Sequence, residues 1–283
     1  MPRVASLNML LETTGTDYLA ELYGQVIENV SLGAASVAIK NYELSGDPES
    51  GSVEAKRFAN ATAKNYGTAR TAGHGDGVVA RPVPVLINQD KEIVEELQNK
   101  DIRLYGVDGV LDRRAANHAQ VMISTLDTDF FAVAVSEGTE FTPTEAAVAD
   151  QVEECIEAVE GTKNAFVDGV PRAMISVVAT PTVYGAIRKY LQSTTRHNFA
   201  TGEEDEFLEY NGCRVFKSVH LPVNGDSKCQ FCVMADGSIA QPVVSDGYQA
   251  ERVPQTNAFS VDLFFSYGTK CVTPDLIKYV MSK

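Results

Sequence analysis

The segment GSVEAKRFANATAKNYGTAR, running from Gly51 to Arg70, decides how the rest of the chain is read. Ala59, Ala61, Ala63 and Ala69 fall in one register, and Asn60, Thr62, Lys64, Tyr66, Thr68 and Arg70 in the other. A period of two sorts small from polar side chains onto the two faces of a strand. A helix competes, because alanine favours helices. The surroundings are just as unusual. Gly46 to Pro84 holds glycines at 46, 51, 67, 73, 75 and 77 and prolines at 48, 82 and 84, with few large apolar residues. From Ser52 to Pro84 the bases Lys56, Arg57, Lys64, Arg70 and Arg81 face only Glu54 and Asp76. Such a stretch cannot bury much against its own body, and connections beyond about 15 residues are usually functional or disordered. Two readings fit: an arm that orders on a neighbouring molecule, or a loose surface loop.

The flanks are regular. Upstream, Tyr18, Leu22, Val26 and Val30 form one helical stripe with Asp17 as its cap, and Ser36 to Leu44 reads as a strand. Downstream, Asp90 to Gln98 reads as a short helix. A much longer one follows from Asp108. Leu111, Ala115, His118, Met122, Leu126, Asp129 and Val133 recur at steps of three or four until Gly138, which gives roughly 28 residues and about 40 Å. Thr142-Pro143-Thr144-Glu145 has the form of a capping box, followed by the stripe Val148, Val152, Cys155, Ile156 and Val159 and a stop at Gly161. A strand is predicted over Met174–Ala179. Thr180-Pro181 then starts a helix with Val183, Ile187, Tyr190 and Leu191 on one face. Glu203 to Glu209 is an acidic loop, and strands follow at Cys213–Val219, Cys229–Ala235 and Phe259–Tyr267. Thr273-Pro274-Asp275 predicts a last short helix carrying Leu276, Ile277 and Val280. Strands and helices that do not strictly alternate argue for an α+β fold.

Composition narrows the function. The 283 residues carry 38 acids and 24 bases, a net charge of −14, which lacks the basic footprint of an electrostatic nucleic-acid binder. Apolar residues make up 44%, enough for a substantial core. The longest unbroken apolar run, Phe130 to Val135, is far short of the ~20 residues a bilayer requires. The N-terminal Leu7–Leu11 stretch is too short and too polar for a secretory signal. Cysteines at 155, 213, 229, 232 and 271 are odd in number and scattered, and read as reduced core thiols.

Catalytic signatures are missing. Gly73-His74-Gly75-Asp76-Gly77 resembles a phosphate loop, but the spacing is wrong and Pro82 and Pro84 follow where a helix is needed. Cys229 and Cys232 have the spacing of a redox or zinc pair. In a strand that odd offset sends them to opposite faces, and no second pair accompanies them. His74, His118, His197 and His220 share no metal-ligand spacing, and His118 reads as a packed or hydrogen-bonded residue of the long helix. The acids between Glu137 and Glu160 read as a solvated helix face.

The run Gly51–Arg70 resembles the extended loop of major capsid proteins from tailed phages. Lys91-Glu-Ile-Val-Glu-Glu-Leu97 and then Asp108 to Phe131 resemble the same group's approach to its long spine helix, and the similarity of order extends over nearly the whole chain. The resemblance implies the Hong Kong 97-like fold. It assigns an N-terminal arm to residues 1–33, an extended loop to 34–87, a peripheral domain to 88–141 and 247–283, and an axial domain to 142–246. It implies a structural protein and not an enzyme, with no cofactor and no metal. That protein is made in the bacterial host cytoplasm and self-assembles as hexamers and pentamers into an icosahedral virion shell. The shell encloses double-stranded DNA without specific recognition. Partners would be copies of itself, a portal, and either a separate scaffolding protein or none (since the chain starts almost at the arm), with no membrane. Candidate inter-subunit contacts are Lys56, Arg57, Phe58, Lys64, Tyr66 and Arg70. The founding example also joins subunits by a Lys–Asn isopeptide bond. Lys56 and Lys64 stand in the right segment, but such a lysine needs a desolvated site, and the sequence marks no acceptor Asn or helper Glu. An encapsulin-type compartment shell is the nearest alternative, and a soluble α/β ligand-binding enzyme the alternative from another class.

Overall fold

A computed structural model describes residues 6–103, 105–194, 207–224 and 227–282. In chain order the first elements are helices α1 (Thr13–Gly33) and α2 (Ala35–Ile39), strands β1 (Leu44–Ser45) and β2 (Ser52–Phe58), helix α3 (Thr68–Ala72), and strands β3 (Ala80–Leu86) and β4 (Gln89–Leu97). Helix α4 (Gly106–Glu137), strand β5 (Thr139–Glu140), helix α5 (Val148–Glu160), strand β6 (Ile175–Ala179) and helix α6 (Pro181–Thr194) follow. The remainder is β7 (Glu209–Tyr210), β8 (Cys213–Lys217), β9 (Val223–Asn224), β10 (Ser227–Ala235), β11 (Ile239–Ala240), β12 (Val243–Arg252), β13 (Phe259–Tyr267), β14 (Lys270–Cys271) and β15 (Ile277–Met281).

Two main sheets organise the body. The first is the antiparallel set β12-β13-β4, in which β13 alternates cleanly: Phe259, Val261, Leu263, Phe265 and Tyr267 are all buried. They pack against the stripe Tyr18, Leu22, Val26 and Val30 of α1 and against Leu111, Ala115, Met122 and Leu126 of α4. The second runs β5-β15-β10-β6-β8-β7 and is covered on both faces. Val177, Phe231 and Val233 face α5 and α6, while Val178, Cys232 and Met234 face Phe130, Phe131 and Ala134 of α4. The 32-residue helix α4 thus serves both sheets, its first two-thirds closing one core and its last turns the other.

Several expected elements differ, each for a reason outside its own sequence. Asp90–Gln98 is not a helix: β4 pairs residue for residue with β13 from Gln89↔Tyr267 to Leu97↔Phe259, and that ladder overrides the helix propensity of Glu and Lys. Ser36–Leu44 is not a strand. The Asp127 carboxylate of α4 accepts from Ser36 N at 2.9 Å and Ala35 N at 3.3 Å, and so caps α2 from a distance. Asp17 does not cap α1, which begins at Thr13. Ala59–Arg70 is irregular chain ending in α3, with no strand pairing. Thr142–Glu145 precedes the helix without capping it: α5 starts at Val148, and Glu154 reaches back to accept from Thr144 N at 2.9 Å and Thr144 Oγ1 at 2.8 Å. The final helix reduces to a single turn, Pro274–Leu276, before β15 pairs with β10. A bulge between Cys229 and Phe231 changes the register of β10, so Cys229 and Cys232 share one core face instead of opposing ones. The acidic run beginning at Glu203, and His197, lie largely or wholly outside the described residues.

Candidate inter-subunit surface

Residues 44–86 form a three-stranded antiparallel unit, β1-β2-β3, whose long hairpin pairs Ser52↔Leu86 through Phe58↔Ala80. Its base has a small core in which Val53, Ala55 and Val85 meet Ala240 and Val272. Past that base the hairpin leaves the body. From Lys56 to Pro84 no described side chain is buried. A loop folded for its own stability would not expose Phe58, Tyr66, Val78 and Val79 together, with Tyr66 at 95% and Val78 at 84%.

The six predicted contact residues divide. Lys56, Phe58, Lys64, Tyr66 and Arg70 are exposed. Lys64 Nζ donates to Asp76 Oδ1 at 2.5 Å across the tip, and Arg70 lies 5.8 Å from the Tyr66 ring centre. Lys56 and Lys64 keep 46% and 49% side-chain exposure in the single subunit. Arg57 turns inward instead. Its Nη2 donates to Asp275 Oδ2 at 2.6 Å, and its guanidinium sits 4.4 Å from the Phe166 ring centre. Burial pushes the Asp275 carboxyl up, but the Arg57 guanidinium and the Asn164 amide outweigh it and hold the group below the ordinary range. Sequence reasoning missed Asp275, Asn164 and Phe166, because all three are more than a hundred positions from Arg57.

A second surface has the opposite charge. On the outward face of the first sheet, register aligns Asp90, Glu92, Val94 and Glu96 of β4 with Ser266, Phe264, Asp262 and Ser260 of β13, and Glu251 of β12 with Ser260. That face holds five acids and no base in its registers. Asp262 Oδ1 is buried without a partner among the described residues. Burial first, and then Glu251 and Glu92, raise the Asp262 carboxyl above its ordinary range. The acids of α5 are differently placed: Arg172 pairs with Glu153 at 2.7 Å and Glu160 at 2.9 Å. Among the described residues no group of His, Cys, Asp and Glu could hold a metal ion, and no helix is long and apolar enough to cross a membrane.

No protein-family model matches the chain, and no curated protein matches it in sequence. Solved structures do. A chain of Mycobacterium phage Che8 superposes with a TM-score of 0.61 at 18% identity, covering 81% of this chain and 84% of that one. The capsid of Cyanophage P-SCSP1u gives 0.61 at 13% identity over 87% of this chain and 86% of that one. A virus-like particle from Pyrococcus furiosus gives 0.57 at 11% identity over 93% and 99%. The chain has the mixed α and β fold of phage capsid proteins, as the resemblance of Gly51–Arg70 implied.

Proposed function

We propose that the chain is the major capsid protein of a tailed bacteriophage, assembling as hexamers and pentamers into an icosahedral shell around double-stranded DNA. The observation that carries this reading is the hairpin: it projects from a finished body, meets it beyond the base only around Arg57 and Asn60 among the described residues, and presents apolar and basic side chains together. The capsid fold of the whole chain supports it. In this reading residues 1–33 are the arm and 34–87 the extended loop, with 88–141 and 247–283 as peripheral and 142–246 as axial domain. The basic hairpin docks on an acidic surface of an adjacent copy, and the outward face around Asp262 has the complementary charge. The subunit is structural, with no catalytic residue, and works with scaffolding and portal proteins in the host cytoplasm before residing in the virion. A net charge of −14 fits a wall that encloses DNA without binding it.

Negative-stain electron microscopy of concentrated protein tests the proposal, with regular closed shells as the expected result. A stable monomer or dimer with saturable ligand binding would overturn it in favour of a soluble enzyme. Shells purified from the native source should yield DNA on extraction; shells filled with protein instead would favour a compartment of the encapsulin type.

A further inference from the structure

Between its apolar base and its exposed tip, the hairpin meets the body through one polar cluster. Arg57 of β2 donates to Asp275 in the turn before β15, and Asn164 donates to the same carboxylate oxygen. Phe166 lies against Arg57, and Arg81 of β3 is 6.0 Å from the same ring centre. Two residues past β2, Asn60 N donates to Ala165 O at 2.9 Å. Three segments distant in sequence therefore converge on the point where the hairpin leaves the subunit.

We propose that Arg57, Asp275 and Phe166 form a latch that sets the direction of the hairpin, so that Arg57 is a positioning residue and not itself a contact to the next copy. The inference rests on the shell-subunit reading, of which it is a refinement. Its basis is the contrast between two attachments. The base, built on Val53, Ala55 and Val85, is apolar and small, and serves as a pivot. The latch is polar and partly wet, with side-chain exposure of 12% for Arg57 and 30% for Asp275. Parting an ion pair of that kind returns both groups to water, so the net cost of release is modest. Beyond the latch, Asn60 N adds one backbone hydrogen bond to Ala165 O, and no described side chain up to Pro84 is buried, so little else opposes a swing about the pivot. A joint that is held but releasable suits a subunit seated in both hexamers and pentamers, whose neighbours meet it at different angles.

The test measures orientation. All five native cysteines are buried, so spin labels on Ala72→Cys at the tip and Gln120→Cys on α4 report tip-to-body distance in the unassembled full chain. The parent should give one narrow distance distribution. Arg57→Gln and Asp275→Asn should each broaden it about two-fold, and the double variant should broaden it no further, because both substitutions remove the same contact. Arg57→Lys, which keeps the charge, should restore part of the narrowness. An unchanged distribution in both single variants overturns the latch, as does additive broadening in the double variant. The readout does not need assembly: failure of the parent to form shells would refute the capsid reading and leave the distance result standing.

Discussion

His118 Nδ1 lies 2.6 Å from the Tyr248 hydroxyl, joining the middle of α4 to strand β12 inside the first core. The other ring nitrogen is 3.1 Å from Glu95 Oε2 on β4, and Arg114 Nε donates to that same oxygen at 2.6 Å. The long helix is thereby fastened to both edges of its sheet. Burial lowers the His118 pKa; Glu95 counters this in part, and Arg114 adds to the lowering. The folded chain thus resists a proton that the unfolded chain accepts. Stability is therefore fully present above the unfolded histidine value of about 6.5 and falls as pH drops from there through the folded value. Glu95, held low by Arg114 and His118 against its own burial, loses its contribution at lower pH still. Denaturant midpoints should fall between pH 7.5 and pH 5.5 in the parent, and this fall should be smaller in His118→Gln. Parallel pH profiles for the two proteins would refute the assignment.

Charge reversal on the hairpin tests docking separately from folding. Lys64→Glu with Arg70→Glu should leave thermal stability within ~0.5 kcal/mol of the parent, since exposed pairs contribute little. The same pair of changes should abolish shells, because a closed assembly repeats each weak contact many times. Reversing Glu92 and Glu96 to Lys in that background should recover some assembly if the acidic sheet face receives the hairpin. Normal shells from the Lys64/Arg70 double variant would rule out charge-guided docking.

What could be read from the sequence follows from how far the deciding interactions reach. The α4 stripe from Leu111 to Leu126 and the alternation of Phe259–Tyr267 were legible because one face of each meets a core continuously. The hairpin was legible as an anomaly, from its glycines, prolines and reversed charge. The short elements were not. The helix at Ala35 depends on Asp127, some ninety positions away, and the strand at Gln89 on a ladder with β13. The site splits along the same line: Lys64, Tyr66 and Arg70 are exposed, as an inter-subunit contact requires, whereas the inward turn of Arg57 requires knowing where Asp275 lies.

The thiols should be inert in the native chain. Burial pushes Cys155, Cys229 and Cys271 up to about 12 and Cys213 up to about 11, and Cys232 is raised well above its ordinary value. Thiolate, the reactive form, is scarce at neutral pH under those conditions. A colorimetric thiol reagent at pH 8 should therefore find none of the five cysteines rapidly in the folded protein and all five in denaturant. One fast-reacting thiol in the native state would contradict the burial of all five.

At Gly268 the corner after β13 comes up against the end of the hairpin's return strand. A Cβ built there would fall 1.8 Å from Leu86 O, 2.7 Å from Leu86 C and 3.2 Å from Ile87 Cα. All three atoms are backbone, so no side-chain rotation can relieve the clash. Leu86 ends β3, next to the buried Val85 of the pivot core. Gly268→Ala must therefore displace either the end of the hairpin or the corner after β13, and overpacking of this kind costs about 1–3 kcal/mol. Gly75→Ala at the tip is the control, because nothing lies within 4 Å of its added Cβ. Urea denaturation should show a lower midpoint for Gly268→Ala and none of that loss for Gly75→Ala. Equal midpoints for the two variants would mean that the hairpin base does not press on the sheet as this contact requires.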